Sequence, residues 1–405
     1  MAEPAQPVRS GTHYAVLAGF LGWTFDAFDF FILTFVLAPI AKEFGKTLPA
    51  MALTITASLA TRWIGAIVFG AIADRYGRRI PLIVNILYYS LIEVLSGLAP
   101  SYRVFFFLRL LYGIGMGGEW GVGASLTMES VSAKWRGFVS GFLQEGYALG
   151  FLLAAAVYRV VYPHWGWRPL FFIGGLPALL TLFVRARVKE PEAWHRSRTD
   201  WSTYRREIFR NWRRFAYLVV LMAMMNFISH GTQDMYPTYL QQQRGFSPQR
   251  TSDFTVFAMI GAISGGLAFG YFSDRRGRRR AMVTAVLLGV LLIPLWVFAP
   301  SIPLILAGGF LMQFMVQGAW GVIPAHINEL SPDQLRGFFP GLAYQFGVLL
   351  ASGSAYFEAR MSHFMSYGRA MALFAVVVLV VGAIVILVGP EEHRVEFGRS
   401  GSPAA

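Results

Sequence analysis

The chain has 405 residues, of which 55% are hydrophobic and only 14% are charged. This composition excludes an ordinary water-soluble domain and indicates an integral membrane protein. The formal net charge of +13 would suit a nucleic-acid partner, but most of the basic residues lie in connections between apolar stretches, which argues against that class.

Apolar stretches of about 20 residues, long enough to cross a bilayer, follow one another along the chain. In the first half they cover roughly 14–39, 50–73, 80–99, 102–125, 137–161 and 168–187. In the second half they cover roughly 215–241, 250–273, 280–299, 302–327, 338–360 and 368–389. The sequence therefore predicts twelve membrane-spanning helices. The first is too long for a signal peptide and carries aspartates, so we expect it to be retained.

These spans divide the chain into an N-terminal bundle, 14–187, and a C-terminal bundle, 215–389. The linker between them, 188–214, interleaves aromatic residues with arginines, as in an amphipathic helix lying on the membrane surface. Residues 1–13 are expected to be disordered, and 390–405 form a polar C-terminal tail. The absence of cysteine excludes disulfide and thiol chemistry.

The two halves repeat each other with an offset of 200 residues. The segment that begins at Gly70 reads GAIADRYGRR, and the segment that begins at Gly270 reads GYFSDRRGRR. A second shared box contains a glutamate followed by an arginine seven residues later in each half. A fixed internal period is typical of a duplicated architecture. In an apolar chain it indicates two membrane bundles that can move against each other.

Basic residues are concentrated on one side of the predicted bundles. The connections on the side of the termini carry the repeated arginines and the basic linker, whereas the opposite side has scattered charges. Excess Lys and Arg marks the cytoplasmic side. We therefore expect the protein in the plasma membrane, here a bacterial inner membrane, with both termini in the cytoplasm. The basic loops are then expected to face anionic lipid headgroups.

The pattern GxxxDRxGRR after the second and eighth spans resembles the signature loop of the major facilitator superfamily. The resemblance covers essentially the whole chain and implies an all-α fold with twelve transmembrane helices in two pseudo-symmetric six-helix bundles. It also implies a charged network that closes the cytoplasmic side in one state and breaks in the other, although each charge could instead only orient its loop. We expect this gate to contain Asp74, Arg75, Arg78, Glu129, Arg136, Asp274, Arg275, Arg278, Glu329 and Arg336.

Ionisable residues inside the spans are costly, by about 3 kcal/mol on insertion scales, and so indicate function. Asp26 and Asp29 lie three residues apart on one face of the first helix. Apolar burial and mutual repulsion both favour the neutral form of a carboxylic acid, which is what proton coupling needs. The alternative is a carboxylate permanently paired with Arg62 or Arg109. We expect Glu93 and Glu358 to be, respectively, a helix-packing residue and a solvated cap.

The fourth span contains a glycine-rich segment, RLLYGIGMGGEWGVG, that begins at Arg109. It resembles the RxxxGxGxGGE pattern of proton-linked metabolite symporters in the superfamily, which implies a role for the arginine in proton coupling. Glu119 is expected to line the inner cavity. Arg62 is a second buried cation that could receive an anion through its planar guanidinium. The predicted proton-coupling residues are Asp26, Asp29, Arg109 and Glu119.

The seventh span carries a polar face, NFISHGTQDMYPT, that begins at Asn226. Polar residues recur every four positions, and lipid would not accept such a face. The segment resembles the seventh-span motif of fungal lactate and pyruvate permeases, which belong with bacterial sialate transporters in the sialate:proton symporter family. The resemblance implies monocarboxylate recognition, although the histidine could be a satisfied core residue. The predicted substrate-binding residues are Arg62, Asn226, Ser229, His230, Gln233, Asp234, Gln144 and Gln345.

Enzymatic chemistry has little support, because the sequence has no GxxxxGK[ST] loop, no HExxH motif and no cysteine cluster. We therefore expect a proton-coupled symporter of a small monocarboxylate such as lactate or pyruvate, with no cofactor or metal beyond the proton. We expect it to act as a monomer with membrane lipid and no nucleic acid as partner. The alternatives are a symporter of sialic acid or another acidic sugar, and a ligand-sensing transceptor without net transport.

Overall fold

The computed structural model describes residues 11–198 and 200–398, with the side chains of 48, 49, 248, 355, 356 and 359 left aside. Over these residues the regular structure is helical throughout. Most of the predicted disordered N-terminus and the last part of the predicted tail, 399–405, lie outside the described residues. Helix α1 already begins at Thr12, so the first bundle starts slightly before the predicted boundary at 14.

The first half contains eight helices, some of which share one membrane crossing. They are α1 (Thr12–Glu43), α2 (Leu48–Tyr76), α3 (Arg79–Gly97), α4 (Tyr102–Ser130), α5 (Arg136–Gln144), α6 (Gly146–Trp165), α7 (Arg168–Ile173) and α8 (Leu180–Arg187). The linker forms two short helices, α9 (Glu192–Ser197) and α10 (Trp201–Arg210).

The second half repeats this order. Its helices are α11 (Trp212–Gln233), α12 (Tyr236–Gln242), α13 (Pro248–Arg276), α14 (Arg278–Val297), α15 (Ile302–Leu330), α16 (Phe339–Ala351), α17 (Ser354–Met361) and α18 (Tyr367–Val388). Single 3₁₀ turns follow α7 and α15. The first half encloses an apolar core of its own, and the core of the second half extends to Trp23 and Trp120 of the first half.

Ten helical segments of the described chain are long and apolar enough to span a membrane. The other two predicted spans are present as helices that miss this standard for physical reasons. Helix α4 carries charged residues and glycines because most of it packs inside the bundle rather than against lipid. The eleventh span is divided into α16 and α17, so neither piece is long enough alone.

Several crossings are broken at polar positions. The fifth changes from α5 to α6 at Glu145, and the seventh changes from α11 to α12 at Asp234 and Met235. Pro237 lies in the first turn of α12, where its missing N–H costs no hydrogen bond. Discontinuous helices of this kind are typical of membrane binding sites, because they leave backbone groups free inside a cavity.

Glycines set the distance between helices within and between the halves. A Cβ on Gly117 of α4 would lie 1.7 Å from the Arg62 carbonyl oxygen of α2, so only glycine allows this approach. Between the halves, a Cβ on Gly270 would lie 2.5 Å from the Gly137 carbonyl oxygen. Gly70, the counterpart of Gly270, meets Gly337 in the same way. The halves therefore meet through two equivalent contacts, related by the sequence repeat.

Candidate functional site

The repeated loops, the linker and the tail lie at one end of the molecule, called the basic end below. Within each half, an arginine at this end binds two carboxylates. Arg78 lies 2.5 Å from Asp74 and 2.7 Å from Glu129. Its counterpart Arg278 lies 2.7 Å from Asp274 and 2.8 Å from Glu329. Both guanidinium groups are completely buried, so each requires these partners.

The same aspartates also bind the opposite half. The Asp74 carboxylate accepts hydrogen bonds from the backbone N–H groups of Gly337 (2.6 Å) and Phe338 (3.1 Å), just before α16. Asp274 accepts equivalent bonds from Gly137 (2.7 Å) and Phe138 (2.9 Å), at the start of α5. A carboxylate at a helix N-terminus satisfies its free N–H groups and complements its dipole. These four bonds close the basic end.

A reciprocal pair of ionic contacts completes the closure. Arg136 lies 2.9 Å from Glu329, and Arg336 lies 3.9 Å from Glu129. Each glutamate thus meets the arginine of the other half rather than the arginine seven residues further along its own half. This is a crosswise gate, which a pairing inside one sequence box does not reveal.

Two of the arginines in the predicted gate lie away from these contacts. Arg275 is exposed and lies over the Tyr271 ring of its own helix, 4.1 Å from the ring centre. Arg75 is only partly buried and lies over the Tyr76 ring at 5.8 Å. The structure brings the other eight predicted gate residues together at the basic end.

The C-terminal tail inserts an aromatic ring into the gate. The centre of the Phe397 ring lies 3.7 Å from the Arg136 guanidinium and 3.6 Å from that of Arg336, so the ring contacts both cations. Arg136 also donates a hydrogen bond to the Val395 carbonyl oxygen at 2.9 Å. The Gly398 N–H donates a hydrogen bond to the Asp333 carboxylate, which lies before α16, at 3.1 Å. The sequence predicted only a polar tail here.

The linker and the tail cover the gate at equivalent positions. Glu190 accepts hydrogen bonds from the N–H groups of Arg78 and Arg79, and burial raises its pKa although these bonds oppose the shift. In the second half, Glu391 accepts from Arg278 and Arg279 at 2.7 and 2.9 Å.

The linker also reaches Asp74 directly. The Trp194 indole donates to the Asp74 carbonyl oxygen at 2.8 Å, and the Tyr204 hydroxyl donates to its carboxylate at 3.2 Å. Other linker aromatics, such as Phe209, are exposed. One face of the linker therefore packs on the protein, and the other is exposed.

The two predicted proton-coupling aspartates are buried in the first half. Asp26 and Asp29 are fully buried, and none of their carboxylate oxygens has a partner among the described residues. Arg62, Glu119 and Glu93 lie within electrostatic range of Asp26. Glu119 lies against Gly22, one turn earlier on α1, and accepts a hydrogen bond from the Asn85 amide at 2.9 Å.

Arg109 pairs with a glutamate rather than with either aspartate. Its guanidinium lies 2.7 Å from Glu93, donates to Ser96, and sits over the Tyr112 ring at 4.5 Å. The sequence predicted a packing role for Glu93 and did not reveal this pairing. The available signal was Arg109 itself, because a buried arginine in a membrane span requires a carboxylate partner nearby. Asp29 lies within electrostatic range of this pair.

Arg62 presents a guanidinium that no carboxylate among the described residues pairs with. It is only 5% exposed, and its Nε and Nη2 atoms have no hydrogen-bond partner among the described residues. The group lies over the Tyr344 ring at 5.5 Å. This ring belongs to an aromatic cluster between the halves that consists of Trp23, Trp120, Tyr147, Trp320 and Tyr344. A buried cation with free donors on an aromatic wall is suited to an anionic ligand.

The polar face of the seventh span divides into two parts. The His230 Nδ1 atom lies 3.1 Å from an Asp234 oxygen, and both side chains are more than a third exposed. Gln233 instead donates to the Gln313 amide oxygen at 2.8 Å. Asn226 is buried and donates to a carbonyl of its own helix. Ser229 is partly buried on this helix.

The two remaining predicted amides contact the central helices. The Gln144 oxygen accepts a hydrogen bond from the Trp120 indole at 3.4 Å. Gln345 donates to the Gly117 carbonyl oxygen at 3.3 Å. Arg62, Asp26 and Asp234 all lie within electrostatic range of the Tyr147 hydroxyl.

The sequence predicted that Glu358 is a solvated cap, and this prediction is wrong. Its side chain is 1% exposed, and neither carboxylate oxygen has a hydrogen-bond partner among the described residues. Helix α17 packs against α11, so that a Cβ on Gly231 would lie 3.6 Å from a Glu358 oxygen. A position near a helix end therefore did not imply exposure. Glu358 adds a buried carboxyl to the region of His230 and Asp234.

Two repeated helical bundles, a closed gate at one end and buried charges between the halves define a membrane transporter. The chain belongs to the Major Facilitator Superfamily, whose sequence model matches residues 19–266 and 235–404. The fold agrees with this family. The proton:xylose symporter XylE bound to 6-bromo-6-deoxy-D-glucose superposes with a TM-score of 0.78 and 17% identity, covering 96% of this chain and 98% of that one.

Similar proteins of known name are transporters rather than enzymes. A carboxylic acid transporter protein homolog of Saccharomyces cerevisiae is 29% identical over 85% of this chain, which spans 60% of the yeast protein's length. A probable 4-methylmuconolactone transporter of Cupriavidus pinatubonensis is 29% identical, covering 100% of this chain and 96% of its own. The sialic acid transporter NanX of Escherichia coli is 29% identical over 93% of each chain.

We predict that Arg136→Ala opens the basic end, because removing one partner of a buried ion pair costs about 3–5 kcal/mol. The chain has no cysteine, so the maleimide reactivity of a single cysteine introduced at Ala325, which is fully buried behind the gate, reports the opening. R136A should raise this reactivity at least tenfold, and R136K, which keeps a positive charge opposite Glu329, should raise it less. Equal increases in the two variants would contradict the ionic contact between Arg136 and Glu329.

We predict a smaller opening for Phe397→Ala, because a cation–π contact that is shielded from water contributes about 2 kcal/mol. The same cysteine at Ala325 should react several-fold faster. The matched control is Phe364→Ala at the opposite end, where the ring is 79% exposed and should not affect the gate. Equal reactivity in both variants would show that the tail does not hold the gate closed.

Proposed function

We propose that this protein is a proton-coupled symporter of a small monocarboxylate such as lactate or pyruvate. Transport proceeds by rocking of the two six-helix bundles about a site near the middle of the membrane. The observation that carries the proposal is the buried Arg62 on an aromatic wall, together with two buried aspartates. In the part of the chain that the structure describes, two Arg62 nitrogens and all four aspartate oxygens have no hydrogen-bond partner.

The anion site lies between Arg62 and the polar face of the seventh span. A carboxylate can accept two parallel hydrogen bonds from a guanidinium, and Arg62 has two nitrogens without partners among the described residues. The His230 and Asp234 pair supplies polar groups for a hydroxyl or keto oxygen on the same substrate. The aromatic cluster forms an apolar wall for the rest of a small substrate.

The proton site is the pair Asp26 and Asp29. An ionised carboxylate that is buried without a partner is costly. The ionised form of this site is therefore unfavourable until a proton binds. Protonation removes the repulsion between an aspartate and the substrate anion. Arg62 is then available to the substrate, because the competing negative charge beside it has been neutralised. Closure over the loaded, neutral site follows.

The basic end is the cytoplasmic end in this proposal, because it carries the excess of Arg and Lys. The conformation described here is therefore closed toward the cytoplasm. Arg136 and Arg336 contact glutamates of the opposite half, so that opening toward the cytoplasm requires these crosswise contacts to separate. One chain supplies both halves of the site, and we expect a monomer to be active.

The function is tested by uptake into proteoliposomes with an imposed proton gradient. Labelled lactate should accumulate when the outside is acidic, and unlabelled pyruvate or acetate should compete with it, whereas glucose should not. Preferential competition by sialate would favour an acidic-sugar symporter, such as the Escherichia coli relative's name describes. Saturable binding of lactate without any flux would indicate a ligand sensor.

We predict that Asp26→Asn or Asp29→Asn abolishes accumulation driven by acid, because the amide cannot release a proton. Exchange of labelled for unlabelled lactate needs no net proton movement and should persist in at least one of the variants. The measurement is uptake at pH 5.5 outside against pH 7.5 inside, compared with exchange at equal pH. Unchanged acid-driven accumulation in both variants would overturn the assignment of the proton site.

We predict that Arg62→Ala weakens lactate binding by at least tenfold, because a charge-assisted bidentate contact contributes about 1.5–3 kcal/mol. Arg62→Lys should restore only part of the affinity, since an ammonium cannot reproduce the planar fork. The control is Arg198→Ala, which removes an exposed arginine in the linker. Equal effects of R62A and R198A on the binding constant would argue against this anion site.

A further inference from the structure

We propose that the basic end of the second half binds the headgroup of an anionic phospholipid. A cavity of about 380 Å³ opens there between the end of α13, the start of α14 and the end of α18. Arg276, Arg279 and Arg280 line it on one side. Phe272 and Leu387 line it on another. The site thus joins a cluster of positive charge to an apolar wall, which is the chemistry of a charged lipid.

Two of the three arginines in this cluster are available to bind a ligand. Among the described residues, neither Arg276 nor Arg280 forms a hydrogen bond or an ion pair, and both are exposed. Arg279 donates to the Gly389 carbonyl oxygen at 2.7 Å and lies 3.9 Å from Glu391. Glu391 is already engaged by two backbone N–H groups of this loop. One partly committed carboxylate therefore faces three guanidinium groups.

The position of the cavity matches that of a lipid in the bilayer. Phe272 and Leu387 are 37% and 51% exposed on membrane-spanning helices, so acyl chains can pack against them. The arginines lie at the end of the same helices, at the level of the phosphates. Guanidinium groups bind phosphate oxygens through paired hydrogen bonds, and basic residues at the membrane surface are attracted to an anionic leaflet.

The internal repeat shows that this cluster is not a by-product of the shared loop. In the first half, the counterparts of Arg276 and Arg280 are Tyr76 and Ile80, and only Arg79 matches an arginine of the cavity. The gate residues recur in both halves, whereas these two arginines occur in one. The second half therefore carries a basic site that the function of the gate does not require.

Lipid at this site is adjacent to the gate. In sequence, Arg278 lies between two of the cavity arginines and binds Glu329, and Arg279 contacts Glu391 of the tail. A headgroup that neutralises the cluster relieves repulsion among neighbouring cations. We therefore expect the bound lipid to stabilise the conformation that is closed at the basic end.

The test compares the thermal stability of the purified full-length protein in nanodiscs of phosphatidylcholine alone and with 30% phosphatidylglycerol. The wild-type protein should gain several degrees in Tm with phosphatidylglycerol, and R276Q/R280Q should lose most of this gain. The control R205Q/R206Q removes the same charge from two exposed linker residues and should keep it. Equal losses in both variants would indicate diffuse attraction and overturn the site.

Two further measurements distinguish the occupant and guard against misfolding. Inorganic phosphate at 10 mM in phosphatidylcholine nanodiscs should not reproduce the gain, and a full gain would indicate a site for soluble phosphate instead. Y76R/I80R installs the missing arginines in the first half. Native mass spectrometry should then show one additional phosphatidylglycerol retained, and R276Q/R280Q should show one fewer. An unchanged lipid count in both variants would overturn the proposal.

Discussion

The reciprocal contacts between Arg136 and Glu329 and between Arg336 and Glu129 are the constraint on which the closed conformation depends. Charges buried in a membrane protein are stable only when each has a partner. Here Arg136 takes its carboxylate partner from the other half, whereas Arg78 and Arg278 bind the gate glutamates within their own halves. The helix ends, the linker and the tail are arranged around this requirement. The conformation is therefore held by charge pairing across the interface rather than by apolar contact alone.

The buried charges fall into two groups that differ in how completely they are paired. At the basic end, Arg78 and its counterpart each bind two carboxylates. Near the middle of the membrane, Asp26 and Asp29 have no hydrogen-bond partner among the described residues, and Arg62 has two free nitrogens. Full pairing suits a part that must hold one conformation. Incomplete pairing suits a part that waits for a substrate and a proton, since the ligand supplies the missing interaction.

The fold could be predicted from the sequence because apolar length and the internal repeat are local signals. The gate residues followed from the same repeat, and eight of the ten lie together. The contacts of Phe397 and Glu93 could not be predicted, because they depend on which distant segments meet in space. Glu358 was misjudged since its place near a helix end suggested water, whereas the fold of α17 against α11 buries it. Sequence pattern thus locates charged residues more reliably than it pairs them.

The crosswise gate has the geometry of an isologous interface between two identical subunits. The arginine of each half meets the glutamate of the other, and the glycine contacts obey the same two-fold relation. A half-length chain with one such arginine and one such glutamate would satisfy both pairs as a homodimer. Joining two copies keeps that symmetry at the gate and releases the centre from it. Arg62 can then face one side while its counterpart, Ala262, remains apolar.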